Sequence, residues 1–315
     1  KVFSQRDISL ENLALRCEKI IVKLQTISAA GSQGLCCVQN RGRSFVIQSI
    51  PVSTLLAVRE LVHQHKSQSL LLTSATLSVA GSAERFLNGL GLNQQCYTHI
   101  KDHHVYTQRA CLYLPNNTIE PSDNNFQAFF DKQLQDFLER VQGRVLVLFS
   151  SHLALQASAR SLALYNQQHA KRRLLVQGQQ PNKQLITAFC QSDHAILLGT
   201  GSFWEGLDLS GAALSAVVID KLPFASPTQP LVSLRSHYLQ RHGIDPFMEY
   251  LLPEAAIRLR QGCGRLLRRM NEKGVIMITD PRLTQRDYGE FFLSSLPKMV
   301  LIDSLDQVTY FFNNE

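Results

Sequence analysis

Arg258, Gln261, Arg265 and Arg268 recur three or four residues apart, and at about 100° per residue that spacing places them on one face of a helix. Leu252, Leu259, Cys263, Leu266 and Met270 fall roughly opposite. No carboxylate interrupts the run from Arg258 to Met270. Guanidinium groups stay charged and present a planar fork of donors, so a face of this kind suits a polyphosphate. A basic helix that merely caps a sheet fits the same residues.

A second set of polar residues follows apolar runs. Ser150 and Ser151 come after 144–149, Gln177 and Gly178 after 174–176, and Thr200, Gly201 and Ser202 after 195–199. Small hydroxyl residues and glycines let backbone N–H groups approach phosphate oxygens. Each is also an ordinary turn former. Trp204, the single tryptophan, and Phe203 are read in two ways, as a stacking platform for a base or as core beside a strand end.

Elements must position these residues. Leu10, Leu13, Cys17, Ile20, Ile21 and Leu24 predict a helix over about 8–27. Turn and strand material over 31–43 leads to a strand at 44–50, a helix at 53–65 with Ser53 as N-cap, and a buried strand at 69–73. The strand runs into Ser74-Ala75-Thr76-Leu77, and a helix over 82–90 stops at Gly91. The Pro/Asn/Asp-rich segment 115–125 predicts a domain boundary. Beyond it, helices at 126–138, 152–168, 182–190, 228–241 and 250–270 alternate with strands at 144–149, 174–177, 195–199, 215–220 and 274–279. Continuous apolar strands alternating with helices predict a mostly parallel sheet covered on both faces, a three-layer α/β/α fold.

The chain has 315 residues, 44% hydrophobic and 18% charged, with a formal charge of +7. That composition is globular and suits an acidic partner. No apolar run approaches the length of a bilayer span and no signal-peptide pattern opens the chain, which excludes a helical membrane protein. Seven scattered cysteines, of which only Cys36 and Cys37 are close, argue against a disulfide framework and for a reducing cytoplasm. No metal site is expected; His99 and His103 have helical spacing but read as a polar loop. The chain opens on Lys1, and its first methionine is Met248, which reads as an excised piece of a longer protein.

The string Gly201-Ser202-Phe203-Trp204-Glu205-Gly206-Leu207-Asp208-Leu209-Ser210-Gly211 resembles motif V of the DinG/XPD (Rad3-type) branch of superfamily 2 DNA helicases. Ser74–Leu77 resembles motif III, Leu146–Ser151 motif IV, and Gln261–Arg268 the arginine-finger motif VI. Ile219-Asp220-Lys221-Leu222-Pro223-Phe224 with Pro227 is also similar to this branch, within which the bacterial YoaA-type helicases are nearest. The motifs occur in order over about 45–285.

The resemblance implies a RecA-like second motor lobe at 115–315. It places the returning part of the first lobe and its connection at 41–114, and the end of an arch-like helical insertion at 1–40. ATP with Mg²⁺ would sit between the lobes. Arg265 and Arg268 would reach its γ-phosphate with Gln261 orienting it, and an arginine finger is worth about 10³–10⁵ in rate. Glu205, Gly206, Asp208 and Gly264 would line the nucleotide side, with Asp208 as a turn cap the alternative. Ser150, Ser151, Gln177, Thr200, Ser202, Phe203 and Trp204 would meet single-stranded DNA. Ser74 and Thr76 would couple hydrolysis to DNA binding, turn chemistry being their other reading. The family implies 5′→3′ unwinding of forked DNA in repair, and a replication or repair protein partner.

A P-loop, an acidic magnesium box and the four-cysteine spacing of the family's 4Fe-4S cluster are absent from this sequence. A non-catalytic RecA-like module binding nucleic acid or a replication protein is the alternative, its arginines serving DNA phosphates. The chain alone is expected to bind ATP weakly and hydrolyse essentially none. DNA-stimulated ATPase activity from the purified 315 residues would overturn that expectation.

Overall fold

A computed structural model describes residues 2–29, 34–40, 42, 44–51, 71–74, 77–79, 81–90, 109–116, 119–168, 172–204, 209, 213–266 and 272–314. They divide into two compact units. One comprises 1–73, 84–95 and 225–251, the other 74–83, 96–224 and 252–315.

The first unit holds a long helix, α1 (Val2–Ala29), and a hairpin of β1 (Gly34–Asn40) with β2 (Phe45–Pro51). The hairpin strands are antiparallel and in register from Gly34↔Pro51 to Asn40↔Phe45. Gly42 takes the positive φ of 77° that the connection needs, and its N–H donates to Asn40 Oδ1 at 2.9 Å. The unit also contains α2 (Glu84–Leu90), a helix at Pro230–Arg241 and a π-helical turn at Phe247–Leu251. Arg85 donates to the Glu249 carbonyl, and Arg235 lies 4.4 Å over the Tyr250 ring. The helix expected over 8–27 is present as α1, with Leu10, Leu13, Ile20, Ile21 and Leu24 exposed.

The second unit is built on a sheet of β3 (Ala110–Tyr113), β4 (Val145–Phe149), β5 (Arg173–Val176), β6 (Ala195–Thr200), β7 (Ala216–Ile219), β8 (Gly274–Ile278) and β9 (Val300–Ile302). Its order is β5-β6-β4-β7-β8-β3-β9, and every pairing is parallel. Val145, Val147, Phe149, Ile196, Leu198, Val218 and Met277 join one core with Phe126, Phe130, Leu134 and Phe137 of helix Phe126–Arg140. The alternate residues Leu146, Leu148, Leu197, Val217, Ile219 and Ile276 are equally buried. Side chains alternate across a strand, so both faces of the sheet are covered, as apolar parallel strands require. The α/β, RecA-like class expected from the sequence is the fold observed.

Helices Phe126–Arg140, His152–Gln168 and Asn182–Cys190 stand where the periodicity puts them, within two residues at each end. Three expectations differ. Leu71–Thr73, read as part of a buried strand, is exposed, Leu71 at 87%, and has no ladder partner among the described residues; a short apolar run becomes a strand only beside another strand. Strand β3 lies ahead of the boundary expected at 115, because Cys111–Tyr113 is paired on both sides, with β8 and β9. The helix expected over 250–270 runs only from Leu252 to Cys263. The helix expected at 53–65 and the loop histidines 99 and 103 fall outside the described residues.

Gly199 illustrates how tightly the end of β6 is filled. A Cβ built on it would lie 2.5 Å from Phe203 Cγ, closer than two carbons approach. Gly199→Ala is expected to destabilise the fold by about 1–3 kcal/mol through overpacking. Urea unfolding would read this as a lower midpoint at unchanged slope.

Candidate nucleotide and nucleic-acid site

All strands of the parallel sheet end on one rim, where polar groups can face a ligand. β5, β6, β4 and β7 are consecutive neighbours there, about 4.8 Å apart. The residues following them are Gln177, Thr200 to Ser202, Ser150 with Ser151, and Asp220.

Hydrogen bonds tie these ends to one another. Gln177 Oε1 accepts the Thr200 N–H at 2.7 Å, which leaves the amide N–H₂ of this half-exposed residue for another partner. Thr200 itself is 5% exposed, and its backbone donor is spent on Gln177. The open phosphate contact expected of Thr200 is therefore corrected to a buried link between β5 and β6. Ser151 Oγ accepts the Ala154 N–H at 3.2 Å and caps helix His152–Gln168. Ser202, in a single 3₁₀ turn Gly201–Phe203, is exposed.

Ser150 is committed inward. Its N–H donates to Asp220 Oδ1 at 2.8 Å and its hydroxyl to Asp220 Oδ2 at 3.0 Å, while the Lys221 N–H reaches Oδ1 at 2.6 Å. Both donors expected to serve a DNA phosphate are thus taken by a carboxylate. Asp220 is 1% exposed, and its burial pushes the carboxyl up to about 7 despite the three donors and the nearby Lys221 charge. In the sequence Asp220 stands out only as a solitary carboxylate closing an apolar strand.

Phe203 and Trp204 are core rather than stacking platforms. Phe203 is fully buried and Trp204 is 2% exposed. The Trp204 indole N–H donates to the Phe149 carbonyl at 3.0 Å, and its ring lies over Gly262, where a Cβ would come within 2.9 Å of Cε3 and Cζ3. The stacking role is corrected accordingly: the large ring is consumed in joining strand β4 to helix Leu252–Cys263.

That helix carries Gln261 in its last turn, partly exposed. It ends early because Gly262 and Gly264 each cost about 1 kcal/mol relative to alanine. The chain then tightens, with Arg265 N–H on Gly262 O at 3.2 Å and Leu266 N–H on Cys263 O at 3.1 Å. Leu266 is buried against Gly274 at the start of β8. Arg265 consequently leaves the helical face, and its guanidinium donates to the Trp204 carbonyl at 3.3 Å. Arg260, not among the expected residues, donates to Ser78 O at 3.3 Å and ties down the segment that follows Ser74, which is exposed. Gly264 is exposed beside Arg265. Thr76, Glu205, Gly206, Asp208 and Arg268 lie outside the described residues.

Among the described residues, Gln261 in the last helical turn and Arg265 in the turn that follows are the donors of this segment, both partly exposed. Among the described residues no three of His, Cys, Asp and Glu gather as metal ligands, so an iron–sulfur cluster finds no ligand set there. Among them no helix is long and apolar enough to cross a membrane.

Gly262→Ala is expected to displace the Trp204 ring, costing about 1–3 kcal/mol. A red-shifted emission of the sole tryptophan of this chain, together with a lower denaturation midpoint, would report it.

The chain is similar to known helicases in sequence and fold. Residues 134–299 match the helicase C-terminal domain family. The ATP-dependent DNA helicase YoaA of Haemophilus influenzae is 33% identical over 311 residues, 98% of this chain and 48% of that protein. The Escherichia coli YoaA is 37% identical over 255 residues, 81% of this chain and 39% of that protein. This chain thus spans half or less of the length of these relatives. An XPD helicase structure superposes with a TM-score of 0.58 at 16% identity, over 90% of this chain and 50% of that one, a likeness of fold.

Proposed function

The chain belongs to the helicase C-terminal domain family, as the C-terminal portion of a DinG/XPD-type helicase, and on that premise we propose that it is the second motor lobe of an ATP-dependent DNA helicase. One observation carries the reading. Trp204 links the arginine turn to the end of β4, its carbonyl accepting from Arg265 and its indole N–H donating to Phe149, immediately before Ser150 and Ser151. A change at a nucleotide contacted by Arg265 is thereby transmitted through the backbone and ring of one residue to the strand end assigned to DNA.

In this proposal Arg265, with Arg268, places guanidinium charge against the terminal phosphate of ATP, and Gln261 orients it. Charge develops on those oxygens in phosphoryl transfer, so a preorganised donor there lowers the barrier. Magnesium, when bound, would neutralise the same phosphates, and its ligands are assigned to the partner lobe. Glu205, Gly206, Asp208 and Gly264 are assigned to the nucleotide side. Ser151, Ser202 and the Gln177 amide serve the backbone of single-stranded DNA, whose negative charge suits a chain with a formal charge of +7. Ser74 and Thr76 connect this lobe to the first.

Residues 1–40 are assigned to an arch-like insertion and those following to the returning part of the first lobe, with the sheet of the second lobe entered at β3. Through the family resemblance the proposal extends to 5′→3′ translocation and unwinding of forked DNA in repair, in the cytoplasm, with a replication or repair protein as partner and a 4Fe-4S cluster held outside the described residues.

Arg265→Ala in the full-length protein tests the assignment. DNA-stimulated ATP turnover is expected to fall by about 10³ or more, while single-strand affinity and its salt dependence stay near wild type. Unchanged turnover would sink the arginine-finger role. Weaker binding with a salt slope reduced by about one would instead make the arginine a DNA-phosphate contact and the lobe a binding module.

A further inference from the structure

The sheet rim of the second unit holds two buried carboxylates, and they are neutralised differently. Asp280 receives Arg282, with Nε on Oδ1 at 2.9 Å and an amino nitrogen on Oδ2 at 2.6 Å. Asp220 is held by the backbone and hydroxyl donors of Ser150 and by the Lys221 N–H. The Lys221 ammonium is directed elsewhere, donating to Pro121 O at 2.8 Å and lying 4.7 Å over the Phe126 ring. From β8, Thr279 donates its hydroxyl to the Asp220 carbonyl at 2.7 Å, which anchors the residue without adding charge. A buried anion thus stands directly behind the serine that ends β4.

We propose that Asp220 is a positioning residue that governs access of a DNA phosphate to Ser150: its carboxylate takes both Ser150 donors, and the hydroxyl becomes available only when Asp220 releases it. The inference rests on the reading of this rim as the single-strand path. A serine hydroxyl has one hydrogen, so Asp220 and a phosphate oxygen compete for it directly. Protonation of Asp220 ends the competition: the carboxyl becomes a donor toward Ser150 Oγ, and the serine hydrogen turns outward. Asp220 charges over the neutral range, since burial holds it up to about 7, so the grip on DNA at this strand end tightens as pH falls from 8 to 6.

Asp220→Asn imitates the protonated state. Its amide oxygen accepts the Ser150 and Lys221 N–H groups, and its NH₂ donates to Ser150 Oγ. His152 lies exposed two residues past Ser150, so all measurements are made in a His152→Gln background of the full-length protein. The probe is a labelled oligothymidylate.

At pH 8, Asp220→Asn is expected to tighten binding by about tenfold, the worth of one charge-assisted hydrogen bond. Its affinity is expected to change less between pH 8 and 6 than that of the parent. Adding Ser150→Ala should abolish the gain. Equal affinity of the Asn variant and its parent at pH 8, or a gain that survives Ser150→Ala, would overturn the proposal. Should Asp220→Asn fail to fold, Ser150→Ala alone decides: it should cost little at pH 8 and several-fold at pH 6, and equal losses at both would refute the mechanism. A parent protein that binds no oligothymidylate at either pH removes the motor-lobe reading itself.

Discussion

Trp204 lies so close over helix Leu252–Cys263 that only a glycine fits beneath it. A Cβ at Gly262 would come within 2.9 Å of the indole ring and 3.1 Å of Leu148 Cδ1. The rest of the site depends on this packing. The indole N–H is delivered to the Phe149 carbonyl, and the Trp204 carbonyl is turned to receive Arg265. One group is on the indole and the other on the backbone of the same residue, whose ring cannot rotate without opening the core, because interiors are close-packed and respond to shifts as blocks. The arginine turn and the end of β4 are therefore mechanically one body.

The sheet imposes the complementary constraint. Its central strands are apolar on both faces, so polar chemistry is expelled to the strand ends, where backbone donors run out of ladder partners. The protein meets that demand with side chains that cross between strands. Gln177 satisfies the Thr200 N–H from the neighbouring strand, and Asp220 satisfies Ser150. What this internal accounting leaves for a ligand is the exposed Ser151 and Ser202 and the amide N–H₂ of half-exposed Gln177. A rim that looks uniformly suited to phosphate in the sequence is divided in space into groups that hold the rim together and groups that remain for a ligand.

Helices Phe126–Arg140, His152–Gln168 and Asn182–Cys190 and strands β4 to β8 were legible because each shows a helical period or a continuous apolar run bounded by turn residues; helices His152–Gln168 and Asn182–Cys190 coincide with their expected bounds. β3 and β9 were not, since four and three residues carry no period and become strands only by pairing with each other and β8. Leu71–Thr73 failed in the opposite sense, an apolar run without a neighbouring strand. In the site, the residue types at the rim were legible and their division of labour was not. Thr200 and Ser150 are the donors that sequence offers to phosphate, yet each is bonded to a residue 23 or 70 positions away. Phe203 and Trp204 read equally as platform or core until Gly199 and Gly262 are seen to be the hollows that receive them.

By itself, the sequence determined the parallel α/β class, the family, and the order in which the phosphate-directed segments follow one another. These are local or serial properties, set by periodicity, turn chemistry and the spacing of charged residues. Only the tertiary structure decided that the arginine helix stops at Cys263, that Arg265 turns back to Trp204, and that Asp220 lies behind Ser150. Each of those depends on which distant backbone group or side chain comes within hydrogen-bonding or van der Waals reach. Such forces act over a few ångströms of space, whatever the separation along the chain.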